Sequence, residues 1–268
     1  MNKYLHVVNI GIQNLLVYRV NFFFRAAFGL VPLTATLLLW RAIYDGKVDG
    51  ATVAGYPLAQ MISYYLIVTI VDALTAVNED DWQIAADIKD GNISQFLLKP
   101  IDYLTYRFFL FLTGRAVYSV VAIIPVGLFI LYHHDYLVAP ASPAAALAFT
   151  LSTAMTALLQ FFISYTMALL AFWVLEVATL IFVVFAFEYI AGGHLFPLDI
   201  LPPVIQQVLE FTPFPYLLYF PVSVYLGRVA GAAIWTGLAI QAAWVLAAFG
   251  LARFVWSRGI KKYSAVGG

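Results

Sequence analysis

Long apolar stretches separated by short polar ones dominate the pattern of this chain. Six such stretches cover residues 22–44, 58–77, 109–132, 144–173, 174–191 and 230–256. A helix needs about 20 mostly apolar residues to cross the hydrocarbon core of a bilayer. The pattern therefore predicts a single all-α domain over residues 1–268, a polytopic membrane protein with six transmembrane helices. A tight turn is predicted over Trp173 to Glu176, between the fourth and fifth spans.

The segment before the first span, residues 1–21, has the pattern of an amphipathic helix. One helical face carries Leu5, Val8, Ile12, Leu15 and Leu16, and the opposite face carries Asn2, His6, Asn9 and Gln13. A helix with one apolar and one polar face is typical of a segment that lies in the membrane interface. We therefore expect an N-terminal interfacial helix that leads into the first span.

The loop between spans two and three, residues 79–102, also has the pattern of ordered structure. A short helix is predicted to begin at Asp81, with Trp82, Ala85 and Ile88 on one side, and Gly91 lies where a C-cap is expected. Large apolar residues among polar ones are typical of a surface that docks onto another protein. The sequence therefore predicts a docking loop.

A proline-rich segment, residues 192–227, separates spans five and six. It contains half of the chain's 12 prolines and is rich in aromatic side chains. Two short helices, about 203–211 and 216–226, are predicted to dip part-way into the membrane and return as a re-entrant pair, provided that protein covers their broken ends. The alternative is a pair of interfacial helices that rest on the membrane surface.

Composition supports the membrane assignment and narrows the function. The chain is 63% hydrophobic and 10% charged, whereas a soluble domain carries roughly 25% charged residues. The zero net charge makes nucleic acid an unexpected partner. Because the chain has no cysteine, disulfides, thiolate metal sites and cysteine nucleophiles are excluded.

The distribution of Lys and Arg predicts the orientation of the spans, because short cytoplasmic loops carry an excess of positive charge. With both termini inside, three cationic residues lie outside: Arg41, Lys47 and Arg228. The other eleven lie inside or at that boundary: Lys3, Arg19, Arg25, Lys89, Lys99, Arg107, Arg115, Arg253, Arg258, Lys261 and Lys262.

Enzyme motifs are missing from the sequence. No phosphate-binding G-x-x-x-x-G-K-[ST] loop, H-E-x-x-H or G-x-S-x-G pattern is present. His133, His134 and Asp135 form the best candidate metal cluster, but adjacent histidines point in different directions and favour a solvated loop. Among the acids near or within spans, Asp72 and Glu176 are interpreted mainly as interface residues. Glu188 has two open interpretations, a role in gating or anchoring the re-entrant pair and a buried hydrogen bond.

Four strings and the order of spans give the chain a resemblance to a known family. The strings are IKDGNISQFLLKPIDY in the inner loop, GGHLFPLDILP with TPFPYLLYFP in the proline-rich segment, and GIKKYSAVGG at the C-terminus. They resemble a bacterial subfamily of permease subunits of type-2 ABC exporters, and the likeness covers essentially the whole chain. None of the strings is a catalytic signature.

The resemblance implies a permease in the bacterial plasma (inner) membrane with both termini in the cytoplasm. A second permease chain, identical or related, and two copies of a cytoplasmic ABC ATPase are the implied partners, along with membrane lipids. ATP and Mg are expected on that ATPase, and no cofactor is expected on this chain. The implied ATPase-coupling contacts are Asp81, Trp82, Asp87, Ile88, Lys89, Asp90 and Gly91. Candidates for the gate or pathway are Glu188, Phe196, Pro197, Phe214 and Tyr216.

The expected function is export of a hydrophobic or amphipathic substrate, with no enzymatic activity of the chain's own. A secondary transporter or channel driven by an ion gradient is the alternative, but it needs paired internal charges or an internal repeat. A membrane-embedded enzyme and a membrane scaffold are further alternatives. Dependence of transport on ATP or on an ion gradient distinguishes the first two.

Overall fold

A computed structural model describes residues 2–47, 50–77, 80–174 and 176–263, with the side chains of residues 2, 80 and 81 outside the description. The described chain is all α-helical, with an isolated bridge between Val53 and Tyr56. The helices are α1 (Asn2–Leu16), α2 (Arg19–Asp45), α3 (Leu58–Thr75), α4 (Asp80–Lys89), α5 (Ile93–Leu97), α6 (Tyr103–Tyr132), α7 (Pro143–Leu169), α8 (Ala178–Ala191), α9 (Pro203–Glu210), α10 (Tyr219–Tyr225) and α11 (Ala232–Lys262). The prediction of an all-α polytopic membrane protein is confirmed.

Five helices in the described residues are long and apolar enough to cross a membrane: α2, α3, α6, α7 with its 3-10 extension to Phe172, and α11. Their outward surfaces are apolar. Phe28, Leu128 and Leu246 are each more than 60% exposed. Large aliphatic and aromatic side chains in such numbers on the surface require lipid or protein as their surroundings.

The fifth predicted span differs from the other five. Its helix α8 has 14 residues and is about 21 Å long, whereas the hydrocarbon core is about 30 Å thick. Beyond α8 the chain continues without a further α-helix as far as Asp199. The Asp199 carboxylate accepts a hydrogen bond from Tyr56 in the α2–α3 connection, at the opposite end of the molecule from the start of α8. The turn before α8 is longer than predicted and runs to Val177.

Helix α7 lies at the centre of the bundle and packs against α11, α10, α4 and α3. Polar groups lock it to α11. Ser152 donates to the Gln241 side chain at 2.8 Å, and Gln241 donates to the Ser152 carbonyl at 3.1 Å. We call the end of the bundle that carries α4 and α5 the loop end, and the end that carries Tyr56 the far end.

Helix α1 packs along the part of α6 near the loop end. Tyr4 stacks on Phe109 with ring centroids 5.2 Å apart, and Gly11 lies against Thr113. A Cβ atom at position 11 would be 3.2 Å from the Thr113 methyl group, so glycine permits this close approach. The contact face is centred on Gly11, and Leu5 of the predicted apolar face stays 61% exposed.

Candidate functional site

The loop of residues 79–102 is anchored to the bundle by its apolar side chains. Ile84, Ile88 and Ile93 are each at most 5% exposed and belong to the same core cluster as Leu169 of α7. The spacing of residues 84 and 88 places them on one face of α4, which packs against α7. Helix α4 is therefore fixed to the end of a long span.

A buried ion pair fixes α4 to α6 as well. The Arg107 guanidinium contacts the Asp87 carboxylate, and both side chains are less than 10% exposed. The Tyr103 hydroxyl donates to Asp87 at 3.1 Å and accepts from Arg107 Nε at 2.9 Å. Gln83 also donates to Asp87, at 3.3 Å. These bonds satisfy the carboxylate and compensate part of its desolvation.

The C-terminal end of α11 is tied to the same loop at two points. The Tyr263 hydroxyl donates to the Gly91 carbonyl at 3.0 Å, and Gly91 has a φ of +79° that favours glycine. Arg253 pairs with Asp102 at 2.6 Å, and Asp102 caps α6 through the Thr105 amide at 3.0 Å. Partial burial acts to raise the pKa of Asp102, but the hydrogen bonds from Thr105 and Arg253 outweigh it and hold the pKa below its usual value.

Five of the seven predicted coupling residues divide into an exposed and a buried group. Trp82 is 47% exposed, and Lys89 and Asp90 are exposed beside it on the loop end. Asp87 and Ile88 face the chain's own interior. Gly91 forms the turn after α4, and the side chain of Asp81 lies outside the described residues. Leu98, which the sequence did not single out, is 89% exposed and extends the apolar surface of the loop end.

The proline-rich segment turns back between the long helices. The Tyr216 carbonyl accepts from Gln241 at 2.9 Å and from Thr156 at 3.2 Å. Gln241 lies nine residues after the start of α11, and Thr156 lies thirteen after the start of α7, about 14 and 20 Å from their far ends. Residues 214–217 therefore lie well inside the bundle, with α9 leading in and α10 leading out.

Hydroxyl groups of tyrosines at the far end hold the first part of this segment. Tyr64 and Tyr65 of α3 donate to the carbonyls of Gly193 at 2.6 Å and Leu195 at 2.9 Å. Tyr56 donates to the Asp199 carboxylate at 2.5 Å. Gly193 has a φ of +92°, and a Cβ there would be 2.6 Å from the Tyr64 hydroxyl. Residues 193–199 are therefore fixed to α3 and the loop before it.

The gate and pathway candidates lie along this segment and beside it. Glu188 is 5% exposed, and its carboxylate accepts from the Gln160 amide of α7 at 2.6 Å. Phe214 packs edge-on against Phe187 of α8, with centroids 5.1 Å apart. Tyr216 and Pro197 are buried, and Phe196 is half-buried. Most of the candidates therefore lie between α8, α7 and the turn at Phe214.

The remaining candidate acids and histidines are dispersed. Asp72 lies 3.1 Å from His194, whereas Glu176 is exposed in the turn before α8. His133 faces Arg41 at 3.4 Å, and His134 contacts Asp135. No group of three or more His, Cys, Asp or Glu side chains that could hold a metal ion occurs within the described ranges.

A family model described as "ABC-2 family transporter protein" matches residues 30–267. The chain belongs to the ABC-2 transporter family. The match extends from α2 to the C-terminal residues and so includes the 79–102 loop and the proline-rich segment. Among curated proteins, none matches the chain closely enough to count as a relative.

Membership makes this chain an ABC permease, a transport subunit that is not itself an ATPase. It also implies association with an ABC ATPase. Family membership and the long apolar helices together indicate that the chain is a multi-pass membrane protein. The resemblance drawn from the sequence strings to type-2 ABC permeases is therefore confirmed.

Several residues that hold these two regions were not predicted from the sequence. They are Tyr103, Arg107 and Tyr263 at the loop end, and Tyr64, Tyr65, Gln160 and Gln241 around the proline-rich segment. Two of them could have been identified from the sequence alone. Gln160 and Gln241 are amides inside long apolar stretches, and a buried amide in a span must find hydrogen-bond partners.

Proposed function

We propose that this ABC-2 permease exports a hydrophobic or amphipathic substrate across the bacterial plasma membrane, driven by separate ATPase subunits that dock on the loop end. The observation that carries the proposal is the combination of a rigidly held α4 with an exposed Trp82. A docking surface needs a firm base and a large side chain that can enter a pocket of the partner. The partner ATPase would bind ATP and Mg.

The contacts of α4 provide a route from the loop end to the proline-rich segment. Helix α4 is tied to α7 by its isoleucines and, through the turn after it, to α11 by Tyr263. The same two helices hold the Tyr216 carbonyl through Thr156 and Gln241. In this proposal, closure of the ATPases on ATP moves α4, and α7 and α11 transmit the movement to the turn at Phe214.

The proline-rich segment would then act as the gate on the outer side. Its position well inside the bundle supports a re-entrant pair over two helices resting on the surface. Glu188 would anchor this pair through Gln160, while Phe196, Pro197, Phe214 and Tyr216 would line the exit. A pathway needs a second wall, which a second permease chain, identical or related, would provide.

Orientation follows from charge in the same proposal. The loop end holds Lys89, Lys99, Arg258, Lys261 and Lys262, whereas Arg41 and Arg228 lie at the far end. The positive-inside rule then places the loop end and both termini in the cytoplasm.

Replacement of the exposed tryptophan tests the docking. The permease is co-expressed with its ABC ATPase, and the affinity between the purified subunits is measured in detergent. Trp82→Ala is expected to weaken binding by about tenfold or more, since a central tryptophan contributes about 2 kcal/mol or more to an interface. The control is Trp235→Ala, because Trp235 is 64% exposed near the far end of α11.

The two variants must differ for the proposal to stand. Unchanged affinity in Trp82→Ala, with the permease still eluting as a folded species, would place the ATPase contact elsewhere. An equal loss in Trp235→Ala would indicate a general effect on the permease and not a docking contact.

A further inference from the structure

The turn of residues 53–56, in the α2–α3 connection, has a backbone shape that few residues adopt. Its end residues pair through two backbone hydrogen bonds of 3.0 and 2.9 Å, so that Ala54 and Gly55 form a two-residue turn. Both have a positive φ, +49° at Ala54 and +77° at Gly55, as in a type I′ turn. An alanine in the left-handed region is uncommon and indicates that its surroundings hold it there.

Arg228 holds this turn from the other side of the proline-rich segment. It lies three residues after the end of α10. Its two terminal nitrogens donate to the carbonyls of Gly55 at 3.0 Å and Ala54 at 3.1 Å, and its guanidinium carbon lies 4.3 Å from the centroid of the Tyr56 ring. A flat guanidinium group can bind two acceptors and stack on an aromatic ring at the same time, which a lysine cannot do.

The Tyr56 side chain therefore joins both ends of the proline-rich segment. Its hydroxyl donates to Asp199 near the start of the segment, and its ring contacts Arg228, which directly follows the segment's last residue. Tyr219 of α10 interacts with the same Asp199 carboxylate. We call Tyr56, Asp199 and Arg228 the clasp.

The members of the clasp differ in their exposure. Tyr56 is fully buried, whereas Arg228 is exposed at the far end. Water can replace the hydrogen bonds of an exposed guanidinium group at little cost, but it cannot easily replace those of a buried hydroxyl. Arg228 is therefore the member that can separate without unfolding its surroundings.

We propose that the clasp holds the proline-rich segment closed, and that Arg228 must leave the turn of residues 53–56 before the segment can open. This inference rests on the proposed function, in which the segment is the outer gate. The turn is the fixed side of the clasp, because the Tyr44 hydroxyl of α2 donates to the Tyr56 carbonyl and α3 begins at Leu58. The clasp thus ties both ends of a movable segment to one support.

A buried thiol can report the opening. Ser223 of α10 is fully buried, and Ser223→Cys adds a thiol of similar size to a chain that has no cysteine of its own. In the purified full-length permease in detergent, the rate of modification by a water-soluble thiol reagent follows the fraction of molecules in which α10 is exposed. Arg228→Ala is expected to raise this rate about tenfold or more, since two charge-assisted hydrogen bonds are lost. Arg228→Lys is expected to raise it less.

Further variants separate the clasp from general loosening. Tyr56→Phe keeps the ring beneath Arg228 but loses the bond to Asp199, and it is also expected to raise the rate. Lys47→Ala removes another exposed cation, which lies over the Tyr44 ring, and is expected to leave the rate unchanged. Ser164→Cys provides a second buried reporter, 2% exposed on α7, whose modification is expected to stay equally slow with and without Arg228→Ala.

An unchanged rate at Ser223→Cys in the Arg228→Ala background, or an equal increase at Ser164→Cys, would overturn the clasp. These measurements use the permease without its ATPase, so either result would leave the proposed docking and transport untouched.

A second measurement adds the ATPase with ATP and Mg. Modification of Ser223→Cys is expected to accelerate with the clasp intact and to change little further in Arg228→Ala. If Arg228→Ala accelerated the reaction but ATP did not, the clasp would be a structural tie only. The segment would then not be the outer gate, and the inference would fall together with that part of the proposed function.

Discussion

Asp87 and Arg107 illustrate how a single buried pair can determine the position of a whole loop. Each side chain is less than 10% exposed, and Tyr103 bridges them. Removal of one partner leaves the other charge buried without compensation, which costs about 3 to 5 kcal/mol. We therefore expect Asp87→Ala to lower the thermal stability of the purified permease strongly.

A double substitution separates charge from packing at this pair. Asp87→Ala with Arg107→Met removes both charges and is expected to recover much of the lost stability, while Asp90→Ala, at an exposed acid three residues away, is expected to change little. Thermal unfolding followed by size-exclusion chromatography measures all three. If the double variant were as unstable as Asp87→Ala, the buried charge would not be the cause.

This pair also shows why one part of the sequence-based docking prediction needed the structure. The sequence assigns Trp82, Asp87 and Ile88 alike to the ATPase contact. The partner of Asp87 is Arg107, twenty residues further along the chain, and no spacing rule connects the two. Only the contacts distinguish side chains that hold α4 from those, such as Trp82, that it presents at the surface.

At the scale of elements, α3 serves as the support for the proline-rich segment. The Tyr64 hydroxyl satisfies the Gly193 carbonyl, and the side chain is fully buried. Without it, a buried carbonyl loses its donor, at a cost of about 1 to 3 kcal/mol. Tyr64→Phe is therefore expected to reduce stability and to make the segment more susceptible to proteolysis. Tyr132→Phe, at a residue 80% exposed on α6, is the matched control.

Protease digestion of both variants in detergent checks this prediction, with cleavage sites identified by mass spectrometry. Faster cleavage confined to residues 192–227 in Tyr64→Phe is the expected result. Cleavage at the wild-type rate, or equal acceleration in Tyr132→Phe, would show that the hydroxyl does not hold the segment.

The elements differ in how far the sequence predicts them. Long apolar stretches predicted the existence of α2, α3, α6, α7 and α11, because the length of a span is set by the bilayer. The shortness of α8 was not predicted, since residues 174–191 are apolar except for Glu176, Thr179 and Glu188. Its end is set by the left-handed turn at Gly193 and by tyrosines on α3, more than a hundred residues away in sequence.

At the scale of the whole molecule, the number of crossings decides where the C-terminus lies. Five of the described helices are long and apolar enough to cross a membrane. If only these five crossed, the odd number would place the two termini on opposite sides. In the proposed topology, α8 together with residues 192–199, which reach Tyr56 at the far end, forms the sixth crossing. A broken helix of this kind is tolerated where protein covers the exposed backbone, as the tyrosines of α3 do here.

Single introduced cysteines test this topology. The chain has no cysteine of its own, so a thiol reagent labels only the introduced residue. We expect Asp90→Cys and Lys262→Cys to react only with a thiol reagent supplied from the cytoplasmic side, and Asp135→Cys only with one supplied from outside. All three positions are exposed. If Lys262→Cys reacted from outside while Asp90→Cys reacted from inside, α8 and its extension would not cross. The proline-rich segment would then lie on the cytoplasmic side and could not act as an outer gate.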